Sequence, residues 1–308
     1  MSEENRKKLE NIAEKFLVGK GEVSDVVIQN LKEINKLEKE EILPALNYFA
    51  AIEKTPKTLL HILKEIGRHK DRSSSAILIE LLTSFKDEKD QYLKIRCAAA
   101  NILGHIKDEN TIIPLMYVMN DREENYKLRL AAAEALGKAG NSQAVMPLIG
   151  IVSDDEEKSV YLKESATKAL GMIGDERAVE PLISLLDVQK GIINRFTYLR
   201  EKIVETLGKL RFKKDRRMEA LRNVLEDKSP HVRASAIEAL CEIEDAYIID
   251  IIKPMIYDEN ECVAKTAVHA VYSLEDKDGL LRLLEKEDLP AICRGEIHEI
   301  LDEEEDDE

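Results

Sequence analysis

Tryptophan is absent from this chain of 308 residues, and aromatic residues make up only 5% of it. Strand-like alternation of β-branched residues is scarce too, so the composition points to an all-α protein. Cysteine occurs four times, at 97, 241, 262 and 293, with no C-x-x-C pair. This excludes a dense disulfide framework, and the apolar helical runs around most of them mark small hydrophobes of a reducing, cytoplasmic setting. No stretch reaches the ~18 apolar residues that a membrane span requires. The start, "MSEENRKKLENIAEKF", lacks the apolar core of a secretion signal. Glutamine appears only four times against heavy Lys and Glu usage, a thermophile-like balance.

Positive charge is also short: 46 Lys and Arg stand against 61 Asp and Glu, a net charge of −15. A nucleic-acid partner is therefore not expected, because phosphate neutralisation needs a basic face. A protein partner with a basic or mixed-charge segment suits the surplus of acid better. No H-E-x-x-H, G-x-S-x-G, Walker A or G-x-G-x-x-G run is present. "SATK" (165–168) has the S-x-x-K spacing of acyl enzymes but stands in the middle of a repeat, without S-D-N or K-T-G. The six histidines are scattered, so neither a metal, a cofactor nor a catalytic residue is expected.

What the chain does contain is a repeat. Gly67, Gly104, Gly137, Gly171 and Gly208 are followed by Cys241 in the same column and, after a one-residue shift, by Tyr272, at spacings of 37, 33, 34, 37, 33 and 31 residues. Periods of about 20–50 residues mark solenoids. Leu128, Ala132, Ala135 and Leu136 share one helical face, as do Leu162, Ala166, Ala169 and Leu170, and Val232, Ala236, Ala239 and Leu240. The alanines let helices approach closely. Gly137 and Gly171 are expected to close each first helix in the left-handed conformation. Asn141 or Asp175 then caps a second helix, with Pro114, Pro147 and Pro181 near its start. The expected unit is an antiparallel helix pair, and the expected architecture an α-solenoid superhelix.

A charged column accompanies the apolar one. Arg96, Arg129, Lys163, Arg200 and Arg233 stand eight residues before the glycine column. Six residues before them come Asp90, Glu123, Glu157, Asn194 and Asp227. Bases in register with acids at constant offset predict a structural ladder between repeats rather than a basic binding stripe.

These features carry a resemblance. "VRASAIEALCEI" (232–243), followed by a turn and a further helix, resembles HEAT repeats, and "LGMIGDERAVEPLISLLD" (170–187) is similar to the phycobilisome-lyase-type HEAT-like repeat. The likeness is good over about 90–273, degraded over 39–89 and 274–301, and absent before about 38. It implies an armadillo-like, HEAT-like α-solenoid acting as a protein-binding scaffold, with a bilin lyase or lyase-like subunit as the alternative. Deoxyhypusine hydroxylases, also similar, hold two irons with several His-Glu pairs, whereas this chain has only His298–Glu299. The HEAT-like DNA glycosylases use a basic aromatic groove, which does not suit an acidic chain without Trp.

The resemblance further implies a concave face for the partner. Exposed positions expected there are Asn101, Glu134, Lys168, Glu205, Glu238 and His269, with Leu130, Glu164 and Glu201 one turn earlier. Domain boundaries follow: an N-terminal helical cap over 1–38, a solenoid over 39–301 and an acidic disordered tail over 302–308. An insertion over 187–200 places Ile192, Ile193 and Phe196 either in a contact patch or back in the core.

Overall fold

The computed structural model describes Lys7 and residues 39–53, 55–85, 92–186 and 196–307. The expected N-terminal cap, apart from Lys7, lies outside these residues, as do Asp90, Asn194, Ile192 and Ile193. Among the described residues every regular element is helical and no strand occurs.

The chain divides into two compact units, Met1–Pro147 and Leu148–Glu308. In the first unit the described helices are α1 (Lys39–Ile52), α2 (Pro56–His69), α3 (Ser75–Thr83), α4 (Leu93–Ile106), α5 (Ile112–Asn120) and α6 (Tyr126–Ala139). Helix α7 (Val145–Ser153) begins at the end of this unit. Long helices of 14 residues alternate with short ones of 9 over α2 to α6. The long helices pack in series, α2 on α4 and α4 on α6. Leu59, Ile62, Leu63 and Ile66 of α2, and Ile95, Ala99 and Leu103 of α4, are buried along these contacts. This seam provides the main stabilisation, at roughly 25 cal/mol per Å² of apolar surface removed from water.

The second unit repeats the plan with α8 (Val160–Ile173), α9 (Val179–Leu186), α10 (Thr197–Lys209), α11 (Lys214–Val224), α12 (Pro230–Cys241), α13 (Ile248–Ile252), α14 (Glu261–Leu284) and α15 (Ala291–Asp307). Here α8 packs on α10, α10 on α12, α12 on α14 and α14 on α15. Helix α14 is broken at Asp276, whose φ of 53° is left-handed.

The column glycines have a different task from the one expected. Gly137 and Gly171 lie inside α6 and α8, and the left-handed residues are Gly140 and Gly174, three positions later. Lys70 and Lys107 occupy the same turn in the earlier repeats. The column itself is small because the next long helix crosses there. A Cβ on Gly104 would lie 2.7 Å from the Ala135 Cα, and one on Gly208 would lie 2.9 Å from the Ala239 Cα.

One residue past the left-handed position, Asp71, Asp108, Asn141 and Asp175 each accept a hydrogen bond from the backbone N–H two residues on. They start a single turn of 3-10 helix that leads into the short helix. The turn after α10 lacks this chemistry. Arg217, buried, instead donates to the carbonyls of Leu207 and Phe212.

Helix α15 runs on into the acidic terminus as far as Asp307. Extending an existing helix needs no new nucleus, and Glu is a good helix former.

Candidate functional site

The basic column is almost fully buried. Arg96, Arg129, Lys163, Arg200 and Arg233 are all under a tenth exposed. Four of them bind the carbonyl end of the preceding short helix or the turn that follows it. Arg96 Nε donates to Leu82 O, Arg129 Nε to Met119 O, Lys163 Nζ to Asp154 O and Arg233 Nη1 to Asp227 O. These carbonyls have no intrahelical donor, so a cation there satisfies them and opposes the helix dipole.

The guanidinium groups then reach forward. Arg96 pairs with Glu124, Arg200 with Asp227 and Arg233 with Asp258, each through two charge-assisted bonds to one carboxylate. Each acid sits in the loop before the next long helix, 25 to 28 residues further on. Asp227 and Asp258 thus join successive pairs. In the first of these contacts the partner is Glu124, next to the expected Glu123; Asp90 lies outside the described residues. Glu157 directs its carboxylate at the Ser159 N–H, among other contacts.

The candidate partner-binding residues fall on the long helices, but most are less open than expected. Lys168, Glu238 and His269 are exposed, whereas Asn101, Leu130, Glu134, Glu164, Glu201 and Glu205 are half-buried. The neighbouring long helix explains this. Asn101 on α4 accepts a hydrogen bond from Lys138 Nζ on α6 at 2.8 Å. Glu164 on α8 is partly desolvated, which raises its pKa, while Lys202 on α10 opposes the rise. His269 lies 2.8 Å from Glu296, whose other oxygen meets Lys265. The acid of Glu296 is held low, foremost by its hydrogen bond with Lys265 and also by that with His269.

Two residues of this face were not anticipated. Tyr161 and Tyr198 are 67% and 54% exposed. Each stands two positions before the basic column, Lys163 or Arg200, so the signal was present in the register. On α10, Tyr198, Glu201, Lys202 and Glu205 share one helical stripe, by i, i+3, i+4 and i+7 spacing. Lys202 Nζ lies 2.9 Å from both oxygens of Glu205 and 5.2 Å from the Tyr198 ring centre. Its ammonium pKa is raised, chiefly by the Glu205 contact.

A separate groove of about 610 Å³ opens between α9 and α11, over Ile183, Leu186, Ala220 and Val224. Arg216 bridges its rim between Glu180 and Glu219. No group of three or more His, Cys, Asp or Glu side chains is placed to hold a metal among the described residues. No helix there is long and apolar enough to cross a membrane.

The family model for HEAT repeats matches residues 119–197, 191–271 and 218–300, more than half of the chain. No curated protein matches at a significant level. Among solved structures, the chain is similar to a Kap121p mutant, with 13% identity and a TM-score of 0.57 over 95% of this chain and 37% of that one. Escherichia coli YibA is similar over 87% of this chain and 94% of its own, with 18% identity and a TM-score of 0.50. The CpcE–CpcF phycocyanin lyase complex from a Nostoc species gives 22% identity and a TM-score of 0.46 over 73% of this chain and 92% of that one. At these identities the likeness is one of fold.

Proposed function

The chain belongs to the HEAT-repeat family, and from that premise we propose that it is a non-catalytic scaffold that binds a protein segment along its long helices. The observation that carries this reading is the row of side chains on four helices packed in series, α8, α10, α12 and α14. Tyr161, Glu164 and Lys168 are followed by Tyr198, Glu201 and Glu205, then by Glu238, then by Lys265 and His269. Exposed tyrosines are favoured at interfaces because a large, rigid, amphipathic ring loses little entropy on docking. Repeated helix pairs offer an extended surface that a compact cleft does not. The acids make a basic or mixed-charge segment the preferred occupant. The inner, concave placement of this row, the solenoid span of 39–301 and the capping role of 1–38 belong to the same proposal.

The test is affinity capture from native lysate. A saturable partner is expected, and it is lost when Glu201, Glu205 and Glu238 are all changed to Lys; undiminished capture by that triple variant overturns the reading. The narrower assignment, to the phycobilisome-lyase-type repeat with bilin attachment, draws on the "LGMIGDERAVEPLISLLD" pattern. Incubation with a bilin and an acceptor protein is expected to give no covalent adduct, and an adduct reverses the order of the two readings.

A further inference from the structure

Lys202 occupies an unusual position for a surface lysine. Its ammonium sits against the carboxylate of Glu205 at 2.9 Å to both oxygens and faces the Tyr198 ring at 5.2 Å. Glu201 and the half-buried Glu164 of the neighbouring helix act on it as well. One carboxylate and one aromatic face thus contact the cation, two further carboxylates act on it from nearby, and the Lys202 side chain is only 24% exposed. One repeat earlier, Tyr161 is the more exposed of the two rings and has no cation over it among the described residues.

We infer that Lys202 is an internal stand-in for a partner's basic side chain, and that the Tyr198–Glu205 seat receives an arginine or lysine of the bound segment once Lys202 swings aside. The inference rests on the reading of this face as a protein-binding surface. Charge complementarity selects the occupant: Glu164, Glu201 and Glu205 outnumber Lys202 and Lys168 along these two helices, so an incoming cation still meets net negative charge while Lys202 is in place. An aromatic face attracts a cation through its quadrupole, and guanidinium is more weakly hydrated than ammonium. An arginine-bearing segment therefore competes well for the seat. Lys202 also sets a threshold, since an occupant must displace an existing ion pair. A lone cation gains little from that exchange, whereas a segment that also engages Tyr161 and Glu238 gains on several helices at once.

The experiment uses the full chain and fluorescence anisotropy with labelled hexa-arginine, hexa-lysine and hexa-glutamate at low salt. Lys202→Met is expected to tighten hexa-arginine binding roughly threefold or more. Lys158→Met, the same charge change at an exposed loop position, is expected to give a smaller gain. Adding Tyr198→Ala to Lys202→Met is expected to remove the extra gain, and hexa-glutamate is expected not to bind. Equal gains from Lys158→Met and Lys202→Met overturn the inference, because net charge alone then accounts for both. Persistence of the gain without Tyr198 overturns it too. The scaffold reading is judged separately: if the Glu201, Glu205 and Glu238 triple variant loses its native partner while Lys202→Met changes nothing, the stand-in fails and the scaffold survives.

Discussion

Arg200 and Asp227 lie 27 positions apart in the chain and meet through two hydrogen bonds, of 3.1 and 2.9 Å, with the arginine 1% exposed. The pair joins the start of α10 to the loop before α12, so one guanidinium ties two successive repeats together beside their apolar contact. Removing one member of a buried pair strands the other charge, at a cost of about 3–5 kcal/mol. Arg200→Met is therefore expected to lower the urea midpoint by that measure of stability. Arg177→Met, which removes a solvent-exposed pair, is expected to leave the midpoint almost unchanged.

The crossing at Gly208 leaves no room for a methyl group, because a Cβ there would sit 2.9 Å from both the Cα and the Cβ of Ala239. Helix propensity alone favours Gly208→Ala by about 1 kcal/mol. Forced separation of the helices costs about 1–3 kcal/mol. A net loss of thermal stability is expected at Gly208. At Gly171 the nearest atom is the Thr206 Cγ2 at 3.2 Å, a side chain rather than a backbone, so Gly171→Ala is expected to cost less. Calorimetry on the two variants checks the order.

Asp175 accepts from the side chain and the backbone N–H of Arg177, and its pKa falls to about 2. A depressed carboxylate contributes stability that is present above its unfolded value and lost as pH falls through the folded one. The difference in unfolding free energy between the wild type and Asp175→Asn is thus expected to be constant above about pH 5 and to shrink between about pH 4 and pH 2. Urea titrations at stepped pH measure it.

The four thiols should separate by reactivity. Cys262 is exposed at the first turn of α14, and Cys293 is buried. Burial, with Glu238 and Glu242 nearby, pushes the Cys241 thiol up to about 11, and burial raises Cys97 too. Ellman's reagent at pH 8 is expected to show one fast thiol, which Cys262→Ser abolishes, and three slow ones that appear on unfolding.

The sequence made the helix-pair repeat legible because Leu and Ala recur at helical spacing and the punctuation recurs with them. It misassigned Gly137 and Gly171, because a glycine that ends a helix and one that admits a neighbouring helix look alike in one dimension. The presence of Gly140 and Gly174 three residues later distinguishes them. The basic column was legible as a ladder, but the pairing of Arg200 with Asp227 depends on which loop faces which helix. The binding face was the least legible part. Glu164 and Glu205 look like ordinary surface charges until Lys202 and the adjoining helix are placed beside them, and nothing in the spacing of Tyr161 and Tyr198 separates an exposed ring from a core one.

Arg233 touches the backbone of its own loop at Asp227 and the carboxylate of the following one at Asp258. A side chain that holds one hand in each of two modules makes whole modules exchangeable. Duplicating or excising a segment that begins and ends at the loops of Asp227 and Asp258 leaves Arg200 and Arg233 each with a matching acid, whereas a cut between either arginine and the next loop orphans a buried charge. Gene duplication and protein engineering alike are thereby confined to steps of one complete module.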